Sequence, residues 1–523
     1  MNIKNMLFKA LIVLIAVTLI GCNSETNEGD KDTKEETNSE LRVAFNAQPP
    51  TLDTHITTAY QTRDISRQMF ETLLTIDSNY QIKPMLAESY DVSEDGKTIT
   101  FHLRQGVKFH NGEEMKAEDV VASMNRWKEL SLGAKTAISN SVFEAQDDYT
   151  VLLKLEKPSG IALSVLAGTS QAPSIMPKEI IDAATEEGVE EYVGTGPFQF
   201  EEWKQDQYIK LTKFDDYQAL SDTSDGLSGK KEALVNDLYF MMITDPSTRV
   251  AGIQSGEYDV AVDMPFDDYE KFNTDESMIP LTFNDAFIGL VLNKKEGPLS
   301  DVKMRQAALA ALNMEEIMYG VFGDEGFFRL DHGLMRPEQK DWYSESGKES
   351  YNQNNPEKAR EILEETDYNG EPIRLIVTRD VEYSYKAAVI IQEQLEKVGM
   401  KVELEVYDSP TLRERRADPS AYEGFLTTFA PFTDPTQFIF LDSKNDWDGW
   451  TNNPTIDSLL DQIRNSTSPE ESKQYFDELQ TELYESVPII KIGDQTTLVV
   501  TSKDVEGLNY LDGPLIWNVK NVK

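Results

Sequence analysis

The stretch PIRLIVTRDVEYSYKAAVIIQEQLEKVGMKVELEVY, residues 372–407, restricts this chain to a small group of folds. A short apolar strand, IRLIVT, ends at Arg379. Ala388, Ile391, Leu395 and Val398 then recur at helical spacing until Gly399 stops the helix, and KVELEVY alternates as a second strand. Two strands joined through a helix make a β-α-β unit, expected to be parallel and right-handed. The chain is therefore expected in the α/β class.

The rest of the second half keeps this alternation. DVKMRQAALAAL (301–312) reads as one helix, and NMEEIMYGVFG (313–323) opens another, with Asn313 as N-cap, Glu316 three residues on and Gly320 near its end. PTLRERRAD (410–418) leads into the strand GFLTTFA (424–430) and the loop PFTDPTQF. The first half is richer in strands. LRVAFNA (41–47) and TITFHLR (98–104) alternate, the second bounded by the turn signals EDG and HNG. AEDVVASMNRW (117–127) places Val120, Val121, Met124 and Trp127 at amphipathic spacing behind Lys116, a weak cap. Gly194, Gly196 and Pro197 look like the start of a phosphate loop. An alternating aromatic strand follows them where a nucleotide loop needs a helix, so that reading is rejected.

Residues 1–21 carry Lys4 and Lys9, no acid, and an apolar run broken only by Thr18. This reads as an export signal, too short for a comfortable membrane span. It ends in Leu19-Ile20-Gly21-Cys22, which resembles the lipobox of bacterial lipoproteins, where the Cys is diacylated and becomes the new N-terminus. The sole cysteine, Cys22, is thus expected to be a lipid anchor on the extracytoplasmic face of the cell membrane. Residues 22–40 are almost devoid of apolar side chains and are expected to be a flexible tether, with the fold starting at Leu41.

With 50 basic against 92 acidic residues the net charge is −42, and loss of the signal's two lysines takes it to about −44. Nucleic acid and anionic membrane are poor partners for such a surface. Four histidines without an H-E-x-x-H pattern give no zinc site, and each reads as a lone surface or strand residue. Asp442, Asp446 and Asp448 have calcium-like spacing that Lys444 and Trp447 interrupt. No nucleophile, base and orienter assemble in the sequence.

The run MLAESYDVSEDGKTITFHLRQGVKFHNGEEMKAEDVVASMNRW (85–127) resembles the signature region of the family 5 extracellular solute-binding proteins, the dipeptide, oligopeptide and nickel receptors of ABC importers. VGTGPFQFEEW, DPSTRVAGIQSGEYDVAVDMP, LNKKEGPLSDVKMRQAALAALNMEEIMYGVFG and WTNNPTIDSLLDQIR follow in family order. The resemblance implies a two-lobe periplasmic-binding-protein-like fold of the cluster C type. Lobe I would be 41–284 plus 490–523 and lobe II 285–489, with hinge crossings near AFIGLVLNKK and SVPIIKIGD. It also implies a lipid-anchored monomer, without cofactor, metal or catalytic residues, that captures peptides or peptide-like amino compounds and delivers them to a permease and its ATPase subunits. A nickel or other metal-chelate receptor is the alternative within the family. A surface hydrolase or an adhesin would be alternatives of other classes.

Ligands of open α/β sheets bind beyond the carboxyl ends of strands, where Arg379 and residues 430–434 lie. Dipeptide receptors of the family use an Arg aligned with Arg379 for the ligand carboxylate. They hold the ligand amine on an Asp where this chain has Pro431, which leaves Asp434 as the nearest substitute. The loop ITTAYQTRD (56–64) matches the family's lobe I cleft loop, so Thr58, Tyr60 and Gln61 are expected contacts, with Tyr383, Phe429 and Phe432 as apolar walls.

Overall fold

The computed structural model describes residues 39–523. The expected export signal, Cys22 and nearly all of the expected tether lie outside the described residues. Glu40, the tether's last expected residue, already belongs to the first strand, Glu40–Phe45.

Two long strands organise the molecule. Met278–Leu292 and Ile489–Ser502 pair antiparallel from Met278 opposite Ser502 to Val291 opposite Ile489. The first part of Met278–Leu292 mixes exposed and half-buried residues, whereas Ala286 to Leu292 are all buried, as an apolar run covered on both faces must be. The change coincides with register shifts between Asn284 and Phe287 and between Ile288 and Gly289. Such irregularities bend a strand and re-aim its side chains.

An 11-stranded sheet spreads from this pair in both directions. On one side Gly424–Phe429 runs antiparallel to Met278–Leu292 and parallel to Ile373–Thr378, which pairs in parallel with Val402–Tyr407. The β-α-β unit expected over 372–407 is therefore present, with helix Glu382–Lys397 as its crossover. On the other side lie Val260–Ala261, Glu40–Phe45, Asp237–Met242 and the hairpin Tyr208–Lys213 with Phe198–Lys204. A separate four-stranded antiparallel sheet contains Thr98–Leu103, whose Ile99, Phe101 and Leu103 are buried as the alternation requires. Helix Ala117–Leu130 covers it with Val120, Met124 and Trp127. Among the described residues no helix is long and apolar enough to cross a membrane.

Local details differ from the sequence reading. Asn313 caps helix Met314–Phe322 through Glu316 N–H (3.1 Å), yet the expected reciprocal bond is absent, because Asn313 N–H donates to Gln394 Oε1 (2.9 Å). The helix ends on Gly323 at φ 78°, with Gly320 near its end as expected. Lys116 offers no side-chain cap; instead its N–H donates to the Asp119 carboxylate (2.8 Å). His55 and His332 are not surface residues: both are buried, with Nε2 donating to the carbonyls of Ser174 (2.9 Å) and Ser344 (3.0 Å).

The glycines of VGTGPF have a packing reason. The segment runs against the backbone that follows helix Tyr60–Ser66, with Gly196 N–H donating to Met69 O (2.8 Å) and Phe198 N–H to Gln68 O (3.1 Å). A Cβ on Gly196 would stand 2.6 Å from Met69 C and 2.7 Å from Gln68 O. Main chain cannot swing aside as a side chain can, so Gly196→Ala is expected to destabilise the fold by about 2 kcal/mol or more. Urea unfolding checks this; a change within a few tenths of a kcal/mol would contradict the close approach.

Candidate functional site

A pocket of about 250 Å3 lies between residues before and after the first long strand. Thr58, Leu132, Val165 and Gln171 form one side, and Phe432, Gln437 and Arg464 the other. A wider polar groove continues from it past Thr136, Asn445 and Arg464.

Each wall is held from behind. The loop carrying Thr58 is pinned at Asp53, which is fully buried and accepts both Arg126 Nη2 (2.6 Å) and Nη1 (3.2 Å), together with the N–H groups of His55 (3.0 Å) and Val189 (3.1 Å). Burial pushes the Asp53 carboxyl up, but Arg126 and His55 outweigh it and hold the group below the usual carboxylate range. Gln171 adopts the left-handed region (φ 49°), donating from Nε2 to His55 O (2.9 Å) while its carbonyl accepts Trp127 Nε1–H (2.7 Å). Opposite, Phe432 stands edge-on to Phe438 with ring centroids 5.0 Å apart, and its carbonyl accepts from Gln339 Nε2 (2.6 Å). Thr433 Oγ1 donates across to Ser164 O (2.7 Å), joining the two walls. Arg464 Nη1 pairs with Asp442 (2.7 Å), while its buried Nε meets no acceptor among the described residues. Apolar walls with a few fixed amide, hydroxyl and guanidinium groups suit a ligand with a polar backbone and apolar side chains.

Of the residues expected from sequence, this pocket brings together Thr58 and Phe432. Tyr60 is 43% exposed and its hydroxyl accepts from Asn46 Nδ2 (2.8 Å); Gln61 is buried, with Nε2 directed at Asn46 Oδ1 (3.4 Å). Arg379 does follow the carboxyl end of Ile373–Thr378, but it is exposed and lies over the Tyr385 ring, 4.4 Å from its centroid. Tyr383 packs half-buried on the core beneath Glu382–Lys397. Phe429 is a core residue, stacked on Phe287 (5.1 Å) and edge-on to Phe440 (4.8 Å), because the strand end that carries it faces inward. Pro431 is buried.

Asp434 needs the clearest correction. It is fully buried, with Oδ1 accepting Thr436 N–H (3.0 Å) and Oγ1–H (2.7 Å), and Oδ2 accepting Gln437 Nε2–H (2.6 Å). It caps the short helix Pro435–Gln437 and is closed to a ligand amine. Arg464, Gln171 and Gln437 were missed, since an Arg or Gln on a helix or loop carries no periodic signal.

Tyr60 borders an acidic cluster. Asp263, at φ 51°, accepts Asn46 Nδ2–H (2.8 Å) and Thr497 Oγ1–H (3.1 Å), and burial, then the Asp285 charge, push its pKa up to about 6. The native state thus holds this proton to higher pH than the unfolded chain does. The stability contribution of Asp263 falls as pH rises from about 4 to about 6. Asn tolerates the left-handed backbone and keeps one acceptor. Asp263→Asn is therefore expected to raise stability by about 1–2 kcal/mol above pH 6, a gain that vanishes below about pH 4. Denaturant titrations of both proteins across pH check this, and a pH-independent difference would contradict it.

Comparison with known proteins accounts for this architecture. The model of the bacterial extracellular solute-binding proteins, family 5 Middle, matches residues 81–449. A probable peptide ABC transporter periplasmic-binding protein of Sinorhizobium fredii, y4tO, is 27% identical, covering 89% of this chain and 90% of its own. The oligopeptide-binding protein AppA of Bacillus subtilis is 25% identical over 98% of this chain and 97% of its own. Among solved structures, AgaA of A. tumefaciens R10 in complex with agropinic acid superposes with a TM-score of 0.74 at 26% identity, covering 92% of this chain and 98% of that one. The chain belongs to the family 5 bacterial extracellular solute-binding proteins and has their two-lobe periplasmic-binding fold.

Proposed function

We propose that this protein is the capture component of an ABC importer for peptides or peptide-like amino compounds. It takes them at the pocket between Thr58 and Phe432 and hands them to a membrane permease driven by ATPase subunits. The observation that carries the reading is the pocket itself: apolar walls with fixed polar groups, drawn from both sides of the long strand pair, in a chain similar along almost its whole length to receptors named for peptides. The lobes are 41–284 plus 490–523 and 285–489, and closure bends the long strands at the register shifts near Asn284 and Ile288. The pocket walls present no nucleophile beside a base, which suits a receptor rather than an enzyme. Cys22, diacylated, tethers this trap to the extracytoplasmic face of the membrane.

Native mass spectrometry of the purified protein, followed by denaturation and identification of the released small molecules, tests the reading. A ladder of short peptides is the expected result. A single mass with a metal isotope pattern would replace it with the metal-chelate reading.

A further inference from the structure

Beside the main pocket lies a second cavity of about 60 Å3, and Gln171 borders both. Its walls carry three cations, Arg63, Arg67 and Lys231, together with Glu71 and the hydroxyls of Thr57 and Thr169. Such a concentration of positive charge is unexpected in a chain with a net charge of −42.

The three cations are not equally engaged. Arg67 is used up by the carbonyls of Leu511 (2.9 Å) and Asp512 (3.2 Å) and by Asp64 at 3.6 Å. Arg63 is held only through Nε, which donates to Asp64 Oδ1 (2.7 Å); among the described residues neither Nη1 nor Nη2 has a hydrogen-bond acceptor. Lys231 is 4% exposed. Its ammonium lies 4.6 Å from the Trp517 ring centroid, and its nearest carboxylate oxygen, Glu71 Oε1, is 3.7 Å away, beyond hydrogen-bond distance. Glu71 is occupied elsewhere, with Oε1 accepting Tyr217 OH (2.9 Å) and Oε2 accepting Thr195 Oγ1–H (3.0 Å). A buried ammonium whose nearest carboxylate stands at 3.7 Å and the free Nη edge of a guanidinium paired through Nε alone thus line one cavity. Buried donors left without an acceptor are costly, and an oxyanion answers the remaining donors of both groups at once.

We propose that this cavity receives a carboxylate of the bound molecule, on the free Nη edge of Arg63 and on Lys231. The proposal rests on the reading of the protein as a receptor for peptide-like compounds. It moves the ligand's acid end away from Arg379 and onto the segment that carries the Thr58 loop.

Two measurements on the purified protein separate the proposal from that reading. The first compares melting temperatures in acetate and in equal acetamide, for wild type, Arg63→Gln and Lys231→Met. A rise specific to acetate is expected in wild type and lost in both variants; an equal response in all three would overturn the proposal whatever the natural ligand is. The second measures binding of a pool of alanine peptides, two to five residues long, as free acids and as C-terminal amides. Wild type is expected to prefer the acids, and each variant to weaken acid binding about tenfold to a hundredfold while leaving amide binding unchanged. Equal weakening of acids and amides would overturn the carboxylate assignment. If no peptide binds in either form while acetate still protects only wild type, the cavity stands and the peptide reading fails.

Discussion

The antiparallel pairing of Met278–Leu292 with Ile489–Ser502 is the constraint on which the rest depends. It joins the parallel β-α-β strands on one side to the strands around Glu40–Phe45 on the other in one sheet. Both crossings proposed between the lobes fall in or beside it, so closure of the proposed kind would be taken up by these strands. A buried ion network braces the pair near the register shifts. Asp494 lies 2.8 Å from Lys491 Nζ and accepts Arg329 Nη2–H (2.7 Å), while Arg329 also reaches Glu338 (2.6 Å). Burial pushes the Asp494 carboxyl up, but Lys491, Arg336 and Arg329 together hold it low. Buried networks of this kind are costly to break at one member, about 3–5 kcal/mol, which favours discrete arrangements over gradual deformation.

The pocket follows from what is fixed around this spine. Asp53 with Arg126 holds the Thr58 loop, Gln339 holds the carbonyl of Phe432, and Thr433 bonds to Ser164 across the gap. Polar side chains thus place the apolar walls. Carboxylates that looked available in the sequence, such as Asp434, are consumed in that placement, while Arg63, with its Nη edge free, and Lys231 stand on the other side of Gln171.

Much of the fold was legible in the sequence because it rests on periodicity. The β-α-β unit, the alternation of Thr98–Leu103 and the strand after GTGP all leave regular patterns. The site was less legible. Residue 429 on a strand reads as wall or core depending on which way the strand end turns, and its packing on Phe287 comes from a segment more than a hundred residues away. Asp434 carries the same letter whether it holds a ligand or caps a turn. Arg63 had one local cue: it falls on the helix started by Tyr60, next to Asp64, which occupies its Nε and leaves the other edge free.

Ligand is proposed to lie between the 54–59 loop and the 430–437 loop. Hydrogen–deuterium exchange of the purified protein, with and without a pool of short peptides, tests it most directly. Peptide is expected to slow exchange in both loops together and in the backbone around Asn284 to Gly289. Protection confined to one loop, or peptide binding that leaves both loops unchanged, would contradict it.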